Sequence, residues 1–190
     1  MTVSVALKDG DRVWIGGDRN RINGSRSYAG SNPKVWKVQD THGNTWAWGQ
    51  TGTCNLQQVA QYQLTLPALN ASEADDLCGF VFKECVPQLY RLLKEIGGIT
   101  RPDPKSGDGM EGALLLGLLG RIFVVSDLAV TEVDNPFHVV GLGTQPSFGA
   151  LDAIYRHKIE LTPQERIKSA VESASAFFPV IGGGIDIVHT

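Results

Sequence analysis

Three side chains near the start of the chain have the types and spacing of an acyl-transfer centre: Thr2, then Asp18 and Lys34 at equal intervals of 16 residues. Thr2 stands directly behind Met1. If an aminopeptidase removes Met1, Thr2 carries a hydroxyl nucleophile and a free α-amine in one residue. Such an amine has a reference pKa of ~7.7–8.0, close enough to neutrality to take the hydroxyl proton. Pairing a threonine with its own terminal amine is one route to activating a weak alcohol nucleophile. A lysine ammonium beside the hydroxyl favours its alkoxide-like form, and a carboxylate keeps that lysine charged and in place. A glycine N–H facing the site would bind the developing oxyanion, and Gly49 is the sequence candidate. Blander roles compete. Asp18 after Gly16-Gly17 also reads as a turn-capping carboxylate. Lys34 also reads as a solvated strand residue, and Lys37 is an alternative partner.

The elements that must position these groups are legible. Residues 2–8 and 12–17 read as two strands joined by Asp9-Gly10, a strong hairpin signal. An antiparallel partner brings Asp18 back beside the beginning of the chain. A polar segment, 18–33, follows. Residues 34–39 and 45–48 form a second expected hairpin, which Lys34 opens. Residues 52–96 are helical in character, interrupted near Leu66-Pro67, with Ser72 as the expected N-cap of the second half. A Pro/Gly/Asp-rich loop spans 101–109. Beyond it come a hairpin (113–119 and 121–126), a strand (137–142), two helices (148–157 and 163–176) and a closing strand (185–188). Thr162 and Pro163 are the cap and first residue of the second helix. Strands grouped together rather than alternating singly with helices predict an α+β fold, and 1–190 reads as a single domain.

Bulk properties narrow the function. The chain has 190 residues, is 42% hydrophobic and carries a net charge of −3, enough for one filled core. No basic stripe is present to neutralise phosphates, so nucleic acid is not an expected partner. Cys54, Cys78 and Cys85 have neither CxxC nor framework spacing, and the last two read as core residues. The four histidines are scattered, so no metal site is expected. Gly182–Gly184 could suggest a phosphate nest, but no helix is expected to begin there. No secretory signal is recognisable, and residues 114–125 are too short and too interrupted to span a bilayer. The expectation is a soluble cytoplasmic protein without membrane partners. Trp46 and Trp48 share a strand face and read as core.

The run from Thr2 to Asp18, Thr-Val-Ser-Val-Ala-Leu-Lys-Asp-Gly-Asp-Arg-Val-Trp-Ile-Gly-Gly-Asp, resembles the opening of proteasome β-subunits and of the HslV-type peptidase. Tyr28 to Val35 resembles the approach to the family lysine, at Lys34. Trp48-Gly49-Gln50-Thr51-Gly52 resembles the oxyanion-hole region. Val139 to Gly143, the helix after it, and the tail from Ala170 with Gly183-Gly184-Ile185 resemble later family segments. The resemblance implies an N-terminal-nucleophile hydrolase, a four-layer αββα sandwich, in which Thr2, Asp18, Lys34 and Gly49 are catalytic. It also implies that Arg21, Asn32 and Trp36 line the substrate side-chain pocket. A threonine endopeptidase of this kind needs no metal or organic cofactor. It would act on peptides or unfolded proteins inside a homo-oligomeric ring, served by an ATP-dependent unfoldase.

Two positions depart from the family pattern. Leu142 stands where a serine helps hold the terminal amine, and neither the late Asp nor the late Ser is found around Pro179 and Gly182. Ser147 and Ser175 are possible substitutes. A catalytically silent ring subunit, or a small-molecule amidase of the same fold, are the alternative readings.

Overall fold

The computed structural model describes residues 2–23, 26–100 and 109–190. Strands β1 (Val3–Asp9) and β2 (Arg12–Asp18) form the expected antiparallel hairpin, with Ser4 opposite Gly17 and Asp9 opposite Arg12. Gly10 turns the chain at φ 61°, a conformation that costs glycine little. Two late strands complete this sheet, β12 (Phe137–Gly141) beside β1 and β13 (Ile185–His189) beside β2. The order is β12-β1-β2-β13, so the start of the chain is an interior strand.

Strand periodicity explains what β1 does. Val3, Val5 and Leu7 pack with Leu151, Ile167, Ala170, Val171 and Ala174 of α4 (Thr144–Arg156) and α5 (Pro163–Phe177). Ala6 lies on the opposite face, in a core with Val13 and Ile15 of β2 and with residues of a second sheet. Ser4 shares that face and donates to Gln50 O at 3.1 Å. The even-numbered side chains of the opening run are thus directed between the sheets.

The second sheet has the order β11-β10-β9-β6-β5. Its strands are β5 (Val35–Gln39), β6 (Thr45–Gly52), β9 (Gly112–Leu118), β10 (Arg121–Ser126) and β11 (Ala129–Val133). One face carries Val35, Ala47, Leu115 and Ile122 toward the first sheet. The other carries Trp36, Trp46, Trp48, Leu114, Leu116 and Phe123 against α1 (Cys54–Tyr62) and the helical run 71–95, which includes α2 (Leu77–Phe80) and α3 (Val86–Glu95). Between α2 and α3 the helix widens into a π turn at Val81–Cys85. Trp36 stacks on Trp48, and Trp46 on Trp48, each with ring centres 6.1 Å apart.

Several boundaries differ from expectation. The polar segment after Asp18 contains a small hairpin, β3 (Asn20–Asn23) and β4 (Arg26–Ala29); its Asn-, Arg- and Ser-rich strands show no apolar alternation. β11 follows a turn with Asp127 and Leu128 at φ 49° and 63°, which has no glycine to announce it. β6 runs on to Gly52 rather than stopping at Trp48. α4 begins at Thr144, tolerating Pro146 in its first turn, where N–H groups have no helical partner. The cap of the 71–95 run is Asn70, in a reciprocal capping box with Glu73, rather than Ser72. Thr162 caps α5 as expected, with Glu165 closing its box. A minor pair, β7 (Ile99–Thr100) with β8 (Gly109–Met110), flanks the expected 101–109 loop, of which 101–108 lie outside the described residues. Among the described residues no helix is long and apolar enough to cross a membrane.

Candidate active site

Thr2, Asp18 and Lys34 converge in a buried cluster between the sheets. Each is at most 4% exposed. β1 brings Thr2, the end of β2 brings Asp18, and the residue leading into β5 brings Lys34. The Thr2 hydroxyl donates to Asp18 Oδ1 at 2.8 Å and accepts from Lys34 Nζ. Lys34 Nζ also donates to both Asp18 oxygens at 3.1 Å and to the Asn20 carbonyl. Lys37, the alternative partner, is exposed on β5.

Backbone donors complete the shell of the carboxylate. Val3 N donates to Asp18 Oδ1 at 3.1 Å, and Asn20 N and Gly182 N donate to Oδ2 at 3.1 and 3.4 Å. The loop ahead of β13 wraps this corner, since Gly182 O accepts from both Arg19 N and Asn20 N at 3.0 Å. Arg19 fastens the same loop through a two-toothed ion pair with Asp186.

Burial pushes the Lys34 ammonium below its ordinary pKa, while the charge and hydrogen bond of Asp18 pull it back up. The positive charge of Arg21 adds to the lowering. A lysine balanced in this way can polarise the hydroxyl it touches and exchange a proton with it at modest cost.

Gly49 does not fit the oxyanion role expected of it. It lies in mid-strand, opposite Val35 of β5 on one side and Leu115 of β9 on the other. Its neighbour Gln50 donates its N–H toward β5, to Lys34 O at 3.0 Å, so alternation turns the Gly49 N–H toward β9. Gly52, three residues on, turns its N–H to the other side. A β-carbon built on Gly112 would collide with Thr51 O, so that carbonyl faces β9, and across the trans peptide the Gly52 N–H points the other way. It opens beyond the start of β5, two residues along the edge that pairs with Lys34. The same strand end lies beside Thr2, because Thr2 O and Thr51 Cγ2 both occupy the space a β-carbon on Gly141 would need. Gly52 has φ 97°, which only glycine holds easily. The sequence hint was a second glycine in the quoted run, just ahead of an expected helix.

The remaining expected residues divide. Arg21 and Asn32 line a cavity of ≈ 250 Å³ with Tyr28, Cys54 and Gln57. Trp36 does not; it is 5% exposed and sits in the core behind the second sheet. Register decides this, since Trp36 pairs with Trp48 and shares its face. Leu142 donates its N–H to Thr2 O at 2.9 Å, and its side chain is exposed. Ser147 donates to Ala170 O at 2.8 Å and Ser175 to Ile181 O at 2.9 Å, so their hydroxyl protons are committed elsewhere.

No protein-family model matches the sequence. No curated protein matches it either. Solved structures do match in shape. Thiobacillus denitrificans BPH in complex with epoxomicin superimposes with a TM-score of 0.75 at 20% identity, covering 100% of this chain and 98% of that one. HslV from Trypanosoma brucei gives 0.62 at 17% identity, covering 99% and 98%. Anbu from Hyphomicrobium sp. strain MC1, in a Gly-1 mutant, gives 0.70 at 16%, covering 99% of this chain and 80% of that one. The chain therefore has the proteasome β-subunit/HslV-type fold.

Proposed function

We propose that the chain is an N-terminal threonine peptidase built on a four-layer αββα sandwich. The observation that carries this is the buried Thr2 hydroxyl held between Asp18 Oδ1 and Lys34 Nζ. The three cores, one between the sheets and one beneath each set of helices, support the layered architecture.

After loss of Met1, Thr2 Oγ1 attacks a peptide carbonyl while its proton passes to the Thr2 α-amine. The oxyanion is met by the Gly52 N–H, a contact of the kind that contributes ~2.7–4 kcal/mol. The amine hands the proton to the departing amino group and the C–N bond breaks, leaving an ester on Thr2. Water then attacks the ester, giving one proton to the amine and on to Oγ1. No cofactor takes part. Substrates are peptides or unfolded proteins. The working form is a single-domain subunit in a closed homo-oligomer, with an ATP-driven unfoldase as partner. An Anbu neighbour from Pseudomonas aeruginosa is described as a helical assembly, a precedent in this fold for assembly of copies, in an open rather than a closed form.

Mass spectrometry of the purified protein is the test. Thr2 should be the first residue, epoxomicin should add to it, and Thr2→Ala should remove both the adduct and peptide hydrolysis. Hydrolysis that survives Thr2→Ala would end the proposal.

A catalytically silent ring subunit is the second reading. The side chain of Leu142 and the committed hydroxyls of Ser147 and Ser175 favour it, because none of them receives the terminal amine. Retained Met1 and no epoxomicin adduct, with rings in electron micrographs, would select it.

A further inference from the structure

The cavity beside the cluster carries an unneutralised cation. Arg21 is half-buried at its edge and, among the described residues, donates to Cys54 Sγ at 2.8 Å, Asn32 O at 3.0 Å and Gln57 Oε1 at 2.6 Å, none of them a carboxylate. Gln57 is 2% exposed and is fixed in turn by donating to Pro33 O at 2.7 Å and Gln61 Oε1 at 3.0 Å. Among the described residues no Asp or Glu pairs with Arg21, whereas Arg19, Arg121 and Arg156 each hold a carboxylate. A guanidinium has five N–H donors, so this one keeps donors beyond the three contacts named. No acidic residue is among those lining the cavity.

The cavity also adjoins the chemistry. Arg21 follows Asn20, whose carbonyl accepts from Lys34 Nζ, and Asn32 and Pro33 lead directly into Lys34. The charge of Arg21 is felt at Lys34. A peptide acylating Thr2 would place the side chain on the acyl side of the broken bond in this space.

The geometry points to an acidic side chain, Glu or Asp, as the one this cavity selects at the residue whose carbonyl is attacked. This rests on Thr2 being the nucleophile. A substrate carboxylate would take one of the donors Arg21 has to spare, the second Nη1–H or Nε–H, as a charge-assisted hydrogen bond. A lysine there would meet like charge. A leucine would leave the polar groups of Arg21 and Gln57 covered and unanswered.

The test uses the full chain and peptides identical except at that residue. The kcat/KM for Glu should exceed that for Gln by about tenfold or more, the scale of a charge-assisted hydrogen bond. Arg21→Gln should bring the Glu/Gln ratio near one. Arg21→Glu should shift preference to Lys. Equal cleavage of Glu and Gln peptides by the unaltered protein, or a preference for Leu or Lys, overturns the assignment. A second measurement separates this from the peptidase reading. Thr2→Ala protein should bind a peptide amide ending in Glu more tightly than its Gln counterpart by calorimetry, and Arg21→Gln should abolish the difference. Equal binding overturns the pocket assignment whether or not the protein cleaves, whereas absence of an epoxomicin adduct on Thr2 counts against the peptidase alone.

Discussion

Replacing Asp18 by Asn tests whether the cluster is the dry charge pair described above. Asn keeps the shape of the side chain but removes its charge and presents an NH₂ group to a ring of donors. Thr2 Oγ1, Val3 N, Asn20 N, Gly182 N and Lys34 Nζ all donate to the carboxylate now. Removing one member of a buried pair costs ~3–5 kcal/mol when the other charge is left uncompensated. Lys34 has an escape, however. Burial already holds its pKa below the ordinary value and Asp18 is what raises it, so without Asp18 the pKa falls further in the folded chain. The unfolded chain then binds one proton more than the folded one between the lowered pKa and ~10.4, and stability in that window rises with pH. Asp18→Asn should therefore be less stable than the parent by about 3 kcal/mol at neutral pH. The gap should narrow toward pH 9 by up to ~1.4 kcal/mol per unit, the value of one proton. Urea denaturation between about pH 6 and 9 measures both effects. A deficit below about 1 kcal/mol that does not change with pH would show that Asp18 and Lys34 behave as a solvated surface pair, and the reasoning fails.

Three further outcomes follow from other parts of the molecule. Asp40 is buried and accepts from His42 N, Asn44 N, Asn44 Nδ2 and Trp46 Nε1, which together hold it below the usual carboxylate range although burial alone would raise it. Asp40→Asn should cost ~1–3 kcal/mol at neutral pH, and the difference from the parent should shrink as pH falls below ~3.9, where the carboxylate's advantage is lost. A β-carbon at Gly16 would collide with Ile167 Cγ2, so Gly16→Ala should lower stability by ~1–3 kcal/mol, and Gly16→Ala/Ile167→Val should recover part of it in thermal melts. Burial pushes the Cys85 thiol up to about 12, with the charge of Glu84 adding to it, whereas Cys54 is exposed at the cavity. Iodoacetamide on the folded protein should label Cys54 and leave Cys85 intact by peptide mapping, and labelled Cys54 should obstruct peptide turnover.

How much was legible depended on whether a signal was local. The hairpin turn at Asp9-Gly10 fixes the register of β1 on β2, and that register alone returns Asp18 to Thr2. Composition and turn chemistry were enough for that step, and for the placement of Lys34. The end of β6 was set too early because nothing local shows that it continues through the polar Gln50-Thr51 to Gly52; the extra pairing comes from β9, 60 or more residues away. Trp36 was misassigned because a one-residue parity decides the face of a strand, and its parity is set against Trp48. The β3–β4 hairpin was missed because Asn20–Asn23 and Arg26–Ala29 show no alternation of apolar and polar residues. Arg21 and Asn32 nonetheless meet across it through loop contacts.

The pairing of β1 with β12 and of β2 with β13 has a consequence for biosynthesis. Val3 lies opposite Gly141, and Asp18 lies opposite Ile185 and takes a donor from Gly182. The corner holding Thr2 and Asp18 must wait for Gly141 and residues 182–185 before it is walled in. At ~5–20 residues per second a separation of about 180 residues takes roughly 9–36 s to synthesise. Such distant partners also make folding slow once translation ends. A polypeptide cut short of those strands thus carries the Thr2 hydroxyl without the walls that enclose it.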